Sequence, residues 1–185
     1  MKSIFFIITI IGITCISCDG RKSRSESLKA SIEKFNQRQS KVSLVTIYPR
    51  EFTEVVTDTL ISNKVKVHIK NYSLPDASIV MTSVGKTQKS QKFHRVFESE
   101  IVISTVTQAI FNTHISAEQF KAISVDKFWN NATLQQVWVN QELSTSQTIQ
   151  LDMSFINPKE NSYKLYRMSI DEYGQQHLKL IEEQS

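Results

Sequence analysis

The stretch KVKVHIKNY, residues 64–72, shows the clearest strand pattern in the chain. Val65, Val67 and Ile69 alternate with basic and polar residues, and a period of two places the apolar side chains on one face of a strand. This alternation is typical of an antiparallel strand with one buried face and one solvated face. The sequence therefore predicts a sheet with one wet surface.

Similar short runs, rich in Val, Ile, Thr, Tyr and Phe, occur on both sides of this stretch. They predict strands over residues 42–48, 53–61, 78–83, 93–105, 108–115, 133–143, 148–156, 163–170 and 176–181. Residues 73–76 predict a turn, and residues 84–92 a long exposed loop. Residues 116–123 break the alternation and predict a short helix with Ser116 as its N-cap. Residues 42–185 are thus expected to form a single mainly β domain, an antiparallel β-sandwich or open barrel with a short helix.

The composition excludes several classes of protein. The chain has 185 residues, 40% hydrophobic and 22% charged, which is too apolar for intrinsic disorder. Both cysteines lie within the first 18 residues, so the body holds neither a disulfide framework nor a nucleophilic cysteine. It also contains no G-x-S-x-G elbow, P-loop, H-E-x-x-H or dinucleotide fingerprint. No cofactor is predicted.

Residues 1–17 have the features of a secretory signal peptide. Lys2 precedes an uncharged apolar stretch of 14 residues, 4–17, which is too short to span a bilayer comfortably. Polar sequence follows at once from Asp19. We therefore expect an exported chain with no membrane-spanning helix.

Cys18, preceded by the small residue Ser17, resembles the lipidation site of a bacterial lipoprotein. In such a protein the cysteine becomes the first mature residue and carries lipid. Cys15, after Thr14, is a second candidate, and it also stands where the commonest form of the signal has leucine. The alternative is a plain signal peptide with incidental cysteines. Several acyl chains on Cys18 would anchor the protein to the membrane.

The net charge of +4 is located mainly next to this anchor. Residues 19–41 hold seven basic and three acidic residues, whereas residues 42–185 hold 14 basic and 15 acidic ones. We read residues 18–41 as a basic tether, partly helical, with Ser23 and Glu26 as a capping box. The tether either meets anionic lipid head groups or is a solvated linker. The charge thus gives no reason to expect nucleic-acid binding.

Three residues of one predicted strand form the best candidate for chemistry. His94, Glu98 and Glu100 have even spacing and are expected to share a strand face, which suits a metal or acid–base work. A step of about 7 Å between alternate residues is, however, too long for three first-shell ligands from one straight strand. The alternative is a solvated strand face, and no metal site is predicted.

Three further residues are candidates for binding or modification. Trp129 and Trp138 would stack on sugars or apolar ligands if exposed, and would be core residues if buried. Thr59 lies in Asp58-Thr59-Leu60, which looks like the short O-glycosylation motif of exported Bacteroidota proteins. Residues 64–95 also carry seven cations against one acid, a distribution that could steer an anionic partner.

Several of these segments resemble a group of uncharacterised Bacteroidota lipoproteins that carry a domain of unknown function. The resembling pieces are TDTL at 57–60, VKVHIKNY at 65–72, FHRVFE at 93–98, LQQVWV at 134–139 and YKLY at 163–166. The resemblance implies an envelope address and a single domain, and supplies no catalytic residue. Surface export in that phylum is associated with an acidic cluster after the lipidated cysteine. Residues 19–22, DGRK, depart from it, so a periplasmic side is expected.

These expectations combine into one leading hypothesis. The chain is predicted to be a lipid-anchored cell-envelope protein whose β domain binds a partner protein or a small ligand without catalysis. One alternative is an envelope hydrolase or metal-dependent enzyme that uses His94 and Glu98. Another is a lipid or lipoprotein carrier with an apolar cavity inside an open barrel.

Overall fold

The computed structural model describes residues 23–38, 44–84 and 89–184. The chain divides into two compact units, Met1–Val42 and Ser43–Ser185. The predicted signal peptide, Cys15 and Cys18 lie outside the described residues. Among the helices that are described, none has the length and apolar character needed to cross a membrane.

The first unit contains helix α1, Arg24–Arg38. Its start has the reciprocal hydrogen bonds of a capping box. The Ser23 backbone N–H donates to Glu26 Oε2 at 3.0 Å, and the Glu26 backbone N–H donates to Ser23 Oγ at 3.2 Å. These two bonds satisfy donors that the first turn of a helix leaves free. The predicted capping box is therefore confirmed.

The second unit is a β domain with nine strands over its described residues. The first sheet, sheet 1, contains β1 (Leu44–Tyr48), β2 (Glu54–Ile61), β3 (Val65–Val84), β4 (Lys89–Ser104) and β5 (Ala109–Ile115). The second sheet, sheet 2, contains β6 (Thr133–Val139), β7 (Thr148–Asn157), β8 (Ser162–Asp171) and β9 (Gln176–Gln184). Helix α2 (Ala117–Ile123) and a 3₁₀ helix (Lys127–Asn131) connect them.

The two sheets differ in topology. Sheet 2 is a simple antiparallel meander, whereas sheet 1 has the order β1-β4-β3-β2 with β5 also paired to β4. β1 runs parallel to the first part of β4, which departs from the expected all-antiparallel pairing. Neither sheet closes into a barrel over the described residues. The prediction of a mainly β fold with two sheets and a short helix is confirmed.

The predicted turn at residues 73–76 is wrong. β3 continues through this segment, and its register with β4 shifts between Ser73 and Ser78. The Arg95 guanidinium stabilises the irregular segment by donating to the carbonyls of Leu74 and Pro75, at 3.4 and 2.7 Å. A side chain distant in sequence thus replaces the hydrogen bonds that a turn would have supplied.

The predicted loop at residues 84–92 is also too long, because β3 extends to Val84 and β4 begins at Lys89. The outer parts of these strands, residues 78–84 and 89–95, form a two-stranded hairpin that we call the arm. β1 pairs with the β4 side of the arm.

The core contains the apolar faces of both sheets, of α2 and of the 3₁₀ helix. Val67, Ile69 and Ile101 of sheet 1 are buried, as are Leu151 and Phe155 of sheet 2. The predicted N-cap of α2 is confirmed at Ser116. Its backbone N–H donates to Gln119 Oε1 at 3.1 Å.

One buried amide joins the two sheets. Asn71 of β3 donates from Nδ2 to the Val137 carbonyl at 3.0 Å and accepts from the Val137 N–H at 2.9 Å. Val137 lies in β6, an edge strand of sheet 2. The side chain of Asn71 thus pairs with a backbone edge as a neighbouring strand would.

Candidate functional site

A cleft of about 710 Å³ lies between the arm and one face of sheet 2. The arm contributes Met81, Lys92 and His94. The opposite wall and rim are formed by Gln135, Ser154, Ile156, Asn157, Pro158, Asn161, Ser162, Tyr163 and Gln184. Seven of the twelve described lining residues carry an amide or hydroxyl group, and none carries a carboxylate. The cleft therefore suits a ligand recognised through hydrogen bonds.

On the arm side of the cleft, the His94 side chain is fixed by contacts with neighbouring residues. Its Nδ1 is 2.9 Å from the Arg95 carbonyl, which accepts a hydrogen bond if this nitrogen carries the proton. Its ring lies 5.5 Å from the Tyr48 ring and 6.4 Å from the Phe97 ring. Lys92 is exposed and lies two residues before His94 on β4, on the same side of the strand. It is the one permanently charged side chain among the described lining residues.

The sheet 2 side of the cleft uses the face of β7 opposite to the core. Ser154 and Ile156 alternate with Met153 and Phe155, whose side chains are fully buried. The Ser154 hydroxyl donates to Gln135 Oε1 at 3.0 Å, across from β7 to β6. Both faces of β7 are thus used, one for the core and one for the cleft.

Of the expected group of three, Glu98 and Glu100 share a face of β4, whereas His94 has separate contacts. Glu98 Oε2 lies 2.8 Å from His114 Nε2 on β5, and Glu100 Oε1 accepts from the Tyr72 hydroxyl at 3.4 Å. His94 instead faces the cleft. Ser73 pairs with Phe97 and Ile79 with His94, so an irregular segment of β3 lies opposite β4 between His94 and Glu98.

The same geometry bears on metal binding. Among the described residues, no group of three or more His, Cys, Asp or Glu side chains is arranged to hold a metal ion. His94 has aromatic neighbours and a backbone carbonyl, and Glu98 has a histidine partner on another strand. The acid–base pairing of His94 with Glu98 that the enzyme hypothesis needs is therefore not present in this arrangement.

The two tryptophans occupy opposite environments. Trp129 is 3% exposed and stacks on Phe120 with 4.8 Å between ring centroids, so the alternative of a core residue holds for it and that of a ligand contact does not. Phe128 and Phe155 pack against its edges at 5.0 and 5.1 Å. Trp138 is 36% exposed and lies on β6, beside the charged pair described next.

Asp152 and Arg167 form a bidentate ion pair next to Trp138. Arg167 donates from Nε at 2.6 Å and from Nη2 at 2.9 Å, and Asn140 donates to the same carboxylate at 2.9 Å. Burial acts to raise the pKa of Asp152, but the hydrogen bonds from Arg167 and Asn140 outweigh it and lower the pKa. Trp138, Asp152 and Arg167 occupy paired positions on three adjacent strands.

Thr59 and Cys18 are the two remaining candidates for modification. Thr59 lies on the edge strand β2, opposite the buried Val67, and its side chain is partly buried. Its modification stays a prediction. Cys18 lies outside the described residues, and its lipidation stays a prediction as well.

A second, smaller hollow of about 400 Å³ lies around Lys164. Its ammonium group is already paired with Asp126 at 2.9 Å and with Glu183. Asp126 also accepts from the Phe128 N–H at 2.9 Å, and this bond and the Lys164 contact lower its pKa. These charges are satisfied by each other, which favours a structural role.

Sequence reasoning missed most of the cleft, because its walls come from distant segments. Ser154 and Tyr163 are ordinary outward positions of strands, and only the fold brings them opposite the arm. One signal was available. Residues 77–97 contain three lysines and an arginine but no acid.

No protein-family model matches the chain, and no curated protein matches it either.

Proposed function

We propose that this chain is a lipid-anchored protein of the bacterial cell envelope, on the periplasmic side, and that its β domain is a non-enzymatic binding module. The cleft between the arm and sheet 2 is the proposed ligand site. The observation that carries the binding role is its lining of amide and hydroxyl groups beside one exposed lysine.

The support for the anchor comes from the sequence. A short apolar stretch after Lys2 ends in Ser17-Cys18, and a basic tether follows. The resemblance to Bacteroidota lipoproteins agrees with this address. A lipid on Cys18 would hold the β domain near a membrane.

Metabolic labelling with radioactive palmitate tests the anchor. The wild type and a Cys15→Ala control should both incorporate label, whereas Cys18→Ala should not. Equal labelling of Cys18→Ala would contradict the Cys18 assignment. Cleavage of the tether by added protease only after the outer membrane is opened would support the periplasmic side, whereas cleavage in intact cells would oppose it.

The support for binding is the difference between the cleft and the other polar clusters. The ion pairs of Lys164 and of Asp152 are closed by partners within the domain. Lys92 has no ion-pair partner among the described residues, and it lines an open cleft. Exposed polar groups that converge on a concave surface are typical of a binding site.

A ligand screen by thermal unfolding tests the binding role. A ligand present at a hundred times its Kd stabilises the folded state by about 2.7 kcal/mol. The full chain should show such a shift with at least one class of ligand. A Lys92→Glu, Ser154→Tyr double variant, which reverses the charge and fills the cleft, should lose it. A matched control, Lys121→Glu with Ser104→Tyr, changes one exposed and one half-buried position outside the cleft lining and should retain it. A shift that persists in the cleft variant would place the ligand elsewhere and oppose the proposal.

The geometry gives less support to the alternatives. The hydrolase hypothesis requires His94 and Glu98 to act together, and their side chains have different neighbours. The carrier hypothesis requires an apolar cavity. Instead, Phe120, Trp129 and Phe155 pack together in the interior of the domain.

A further inference from the structure

Trp138 and the sheet 2 wall of the cleft belong to one continuous face. Along β7, Asp152, Ser154 and Ile156 occupy alternate positions and therefore point to the same side. Trp138 pairs with Asp152, and Gln136 pairs with Ser154, so β6 adds its side chains to that face. Trp138 is two residues along β6 from Gln136, and so lies about 7 Å beyond the cleft wall. We call this face, from Trp138 to the cleft, the strip.

Side chains, not backbone edges, form the walls of this strip. β7 has β6 and β8 as neighbours, β8 has β7 and β9, and β4 at Lys92 lies between β1 and β3. A peptide that binds by adding a strand needs an unpaired edge, and β4, β7 and β8 offer none over their described residues. The edge strands β6 and β9 also reach the strip, and β6 already has its Val137 backbone paired with Asn71. The strip therefore favours a ligand recognised by side-chain hydrogen bonds and stacking.

The chemistry of the strip fits a sugar chain. An indole ring has a negative face, and the C–H groups on one side of a sugar ring are weakly positive, so the two stack. Amide side chains such as Gln135 and Asn161 both donate and accept, as sugar hydroxyls do. Arg167 keeps its Nη1 group unbonded among the described residues while Nε and Nη2 hold Asp152.

The charge of the strip indicates an acidic ligand. Lys92 lines the cleft without any carboxylate among the described lining residues. Lys159 lines an adjoining hollow beside Met81, again with no acidic residue in the described lining. The whole stretch of residues 77–97 lacks acids in the sequence. Complementary charge favours an anionic partner and disfavours cationic ones.

We propose that the ligand is an acidic oligosaccharide. One sugar stacks on Trp138, and the following units lie in the cleft, where Lys92 meets a carboxylate, sulfate or phosphate group. This inference rests on the proposed binding role of the cleft and names the ligand class that the role requires.

A glycan array tests the proposal directly. The probes are uronate-, sialate-, sulfate- and phosphate-bearing oligosaccharides, each printed beside its neutral counterpart, and the protein is the full chain in detergent. The wild type should bind acidic members and bind their neutral counterparts at least about tenfold more weakly. Trp138→Ala should weaken binding about tenfold or more, as is usual when a central tryptophan is truncated. Trp138→Tyr should recover part of the affinity, because it keeps an aromatic face.

Lys92→Gln separates the charge from the stacking. It should reduce the preference for acidic over neutral members and weaken the dependence of binding on salt concentration. Lys121→Gln, a similar change on α2, is the matched control and should alter neither. Urea unfolding of each variant excludes loss of folding as the cause.

Four results would overturn the proposal. They are no binding to any acidic oligosaccharide, equal binding of acidic and neutral members, binding that Trp138→Ala leaves intact, and a preference that Lys92→Gln leaves intact. If a peptide array gives binding that the double cleft variant abolishes while the glycan array gives none, the cleft remains the binding site and the sugar assignment fails. If neither array gives binding, the proposed binding role fails with it.

Discussion

Trp129 and Trp138 have different surroundings, and this difference determines which of the two rings a ligand can reach. Trp129 is enclosed by Phe120, Phe128 and Phe155, and 3% of its surface is exposed. Trp138 lies on the open face of sheet 2, and 36% of its surface is exposed. The first ring is fully occupied by intramolecular packing. The second leaves part of its surface for a ligand.

The charged groups follow the same division. Asp152 and Arg167, beside Trp138, hold each other in a fixed geometry, while Lys92 across the cleft has no ion-pair partner among the described residues. Polar groups that are paired within the protein contribute to its stability, whereas exposed polar groups without a partner are available to bind a ligand. The comparison therefore predicts large stability effects around Trp129 and small ones at Trp138.

The largest effect is expected from Trp129→Ala. It removes a buried ring that stacks on Phe120 and leaves a cavity, so the free energy of unfolding should fall by about 3–5 kcal/mol. Urea denaturation followed by circular dichroism measures this change. Phe52→Ala, at an exposed aromatic position, is the control and should cost far less. A loss below about 1 kcal/mol at Trp129 would contradict the closed packing.

A smaller but still large effect is expected from Asn71→Ala. The substitution leaves the N–H and the carbonyl of Val137 without partners in a buried position. Each unsatisfied group costs about 1–3 kcal/mol, so a total of about 2–4 kcal/mol is expected. Asn112→Ala, on the exposed side of β5, is the matched control. Equal unfolding free energies for the two variants would show that the amide does not join the sheets energetically.

The sequence was sufficient for the position of most strands and insufficient for the site. Alternating residues such as Val65, Val67 and Ile69 report burial directly, because a strand has a period of two. The even spacing of His94 and Glu98 rests on the same period, but it does not report the irregular segment of β3 that lies opposite β4 between these two residues. Arg95, which stabilises that segment, acts on carbonyls about 20 residues away in the chain. Such a contact leaves no local pattern.

The two tryptophans show the same limit of prediction from sequence. Trp129 follows Phe128 in a largely polar segment with no predicted strand, and Trp138 lies in the predicted strand 133–143. Their different exposure follows from the 3₁₀ helix that turns Trp129 inward and from the register that pairs Trp138 with Asp152. These are tertiary features, so composition and spacing could name the two candidates but could not choose between them.

The ion pair beside Trp138 gives a prediction for acid. The pKa of Asp152 is lowered in the folded state from its ordinary value of 3.8. Its stabilising contribution is therefore present above about pH 4 and is lost as the pH falls through the lowered folded pKa. Hydrogen bonds to a charged group contribute about 1.5–3 kcal/mol, so Asp152→Asn should cost about this amount at neutral pH.

Urea midpoints of the wild type and of Asp152→Asn, measured between pH 7 and pH 2, check this prediction. The difference between the two proteins should shrink on the acid side. Asp76→Asn, at an exposed position with no hydrogen bond among the described contacts, is the control and should show no such trend. A constant difference for Asp152→Asn over the whole range would oppose the role assigned to its charge.

The smallest effect on stability is expected at Trp138, and it is also the most informative about function. Trp138→Ala removes a partly exposed ring, so it should lower the free energy of unfolding by about 1 kcal/mol or less. The chain has two tryptophans, and iodide ions quench only indoles that they can reach. Iodide should therefore quench part of the fluorescence of the wild type and almost none of that of Trp138→Phe, in which the buried Trp129 is the remaining indole. Acidic oligosaccharide bound at the strip should protect the quenchable part. If iodide quenches Trp138→Phe as strongly as the wild type, Trp129 is accessible, and the contrast between a closed interior and an open binding face does not hold.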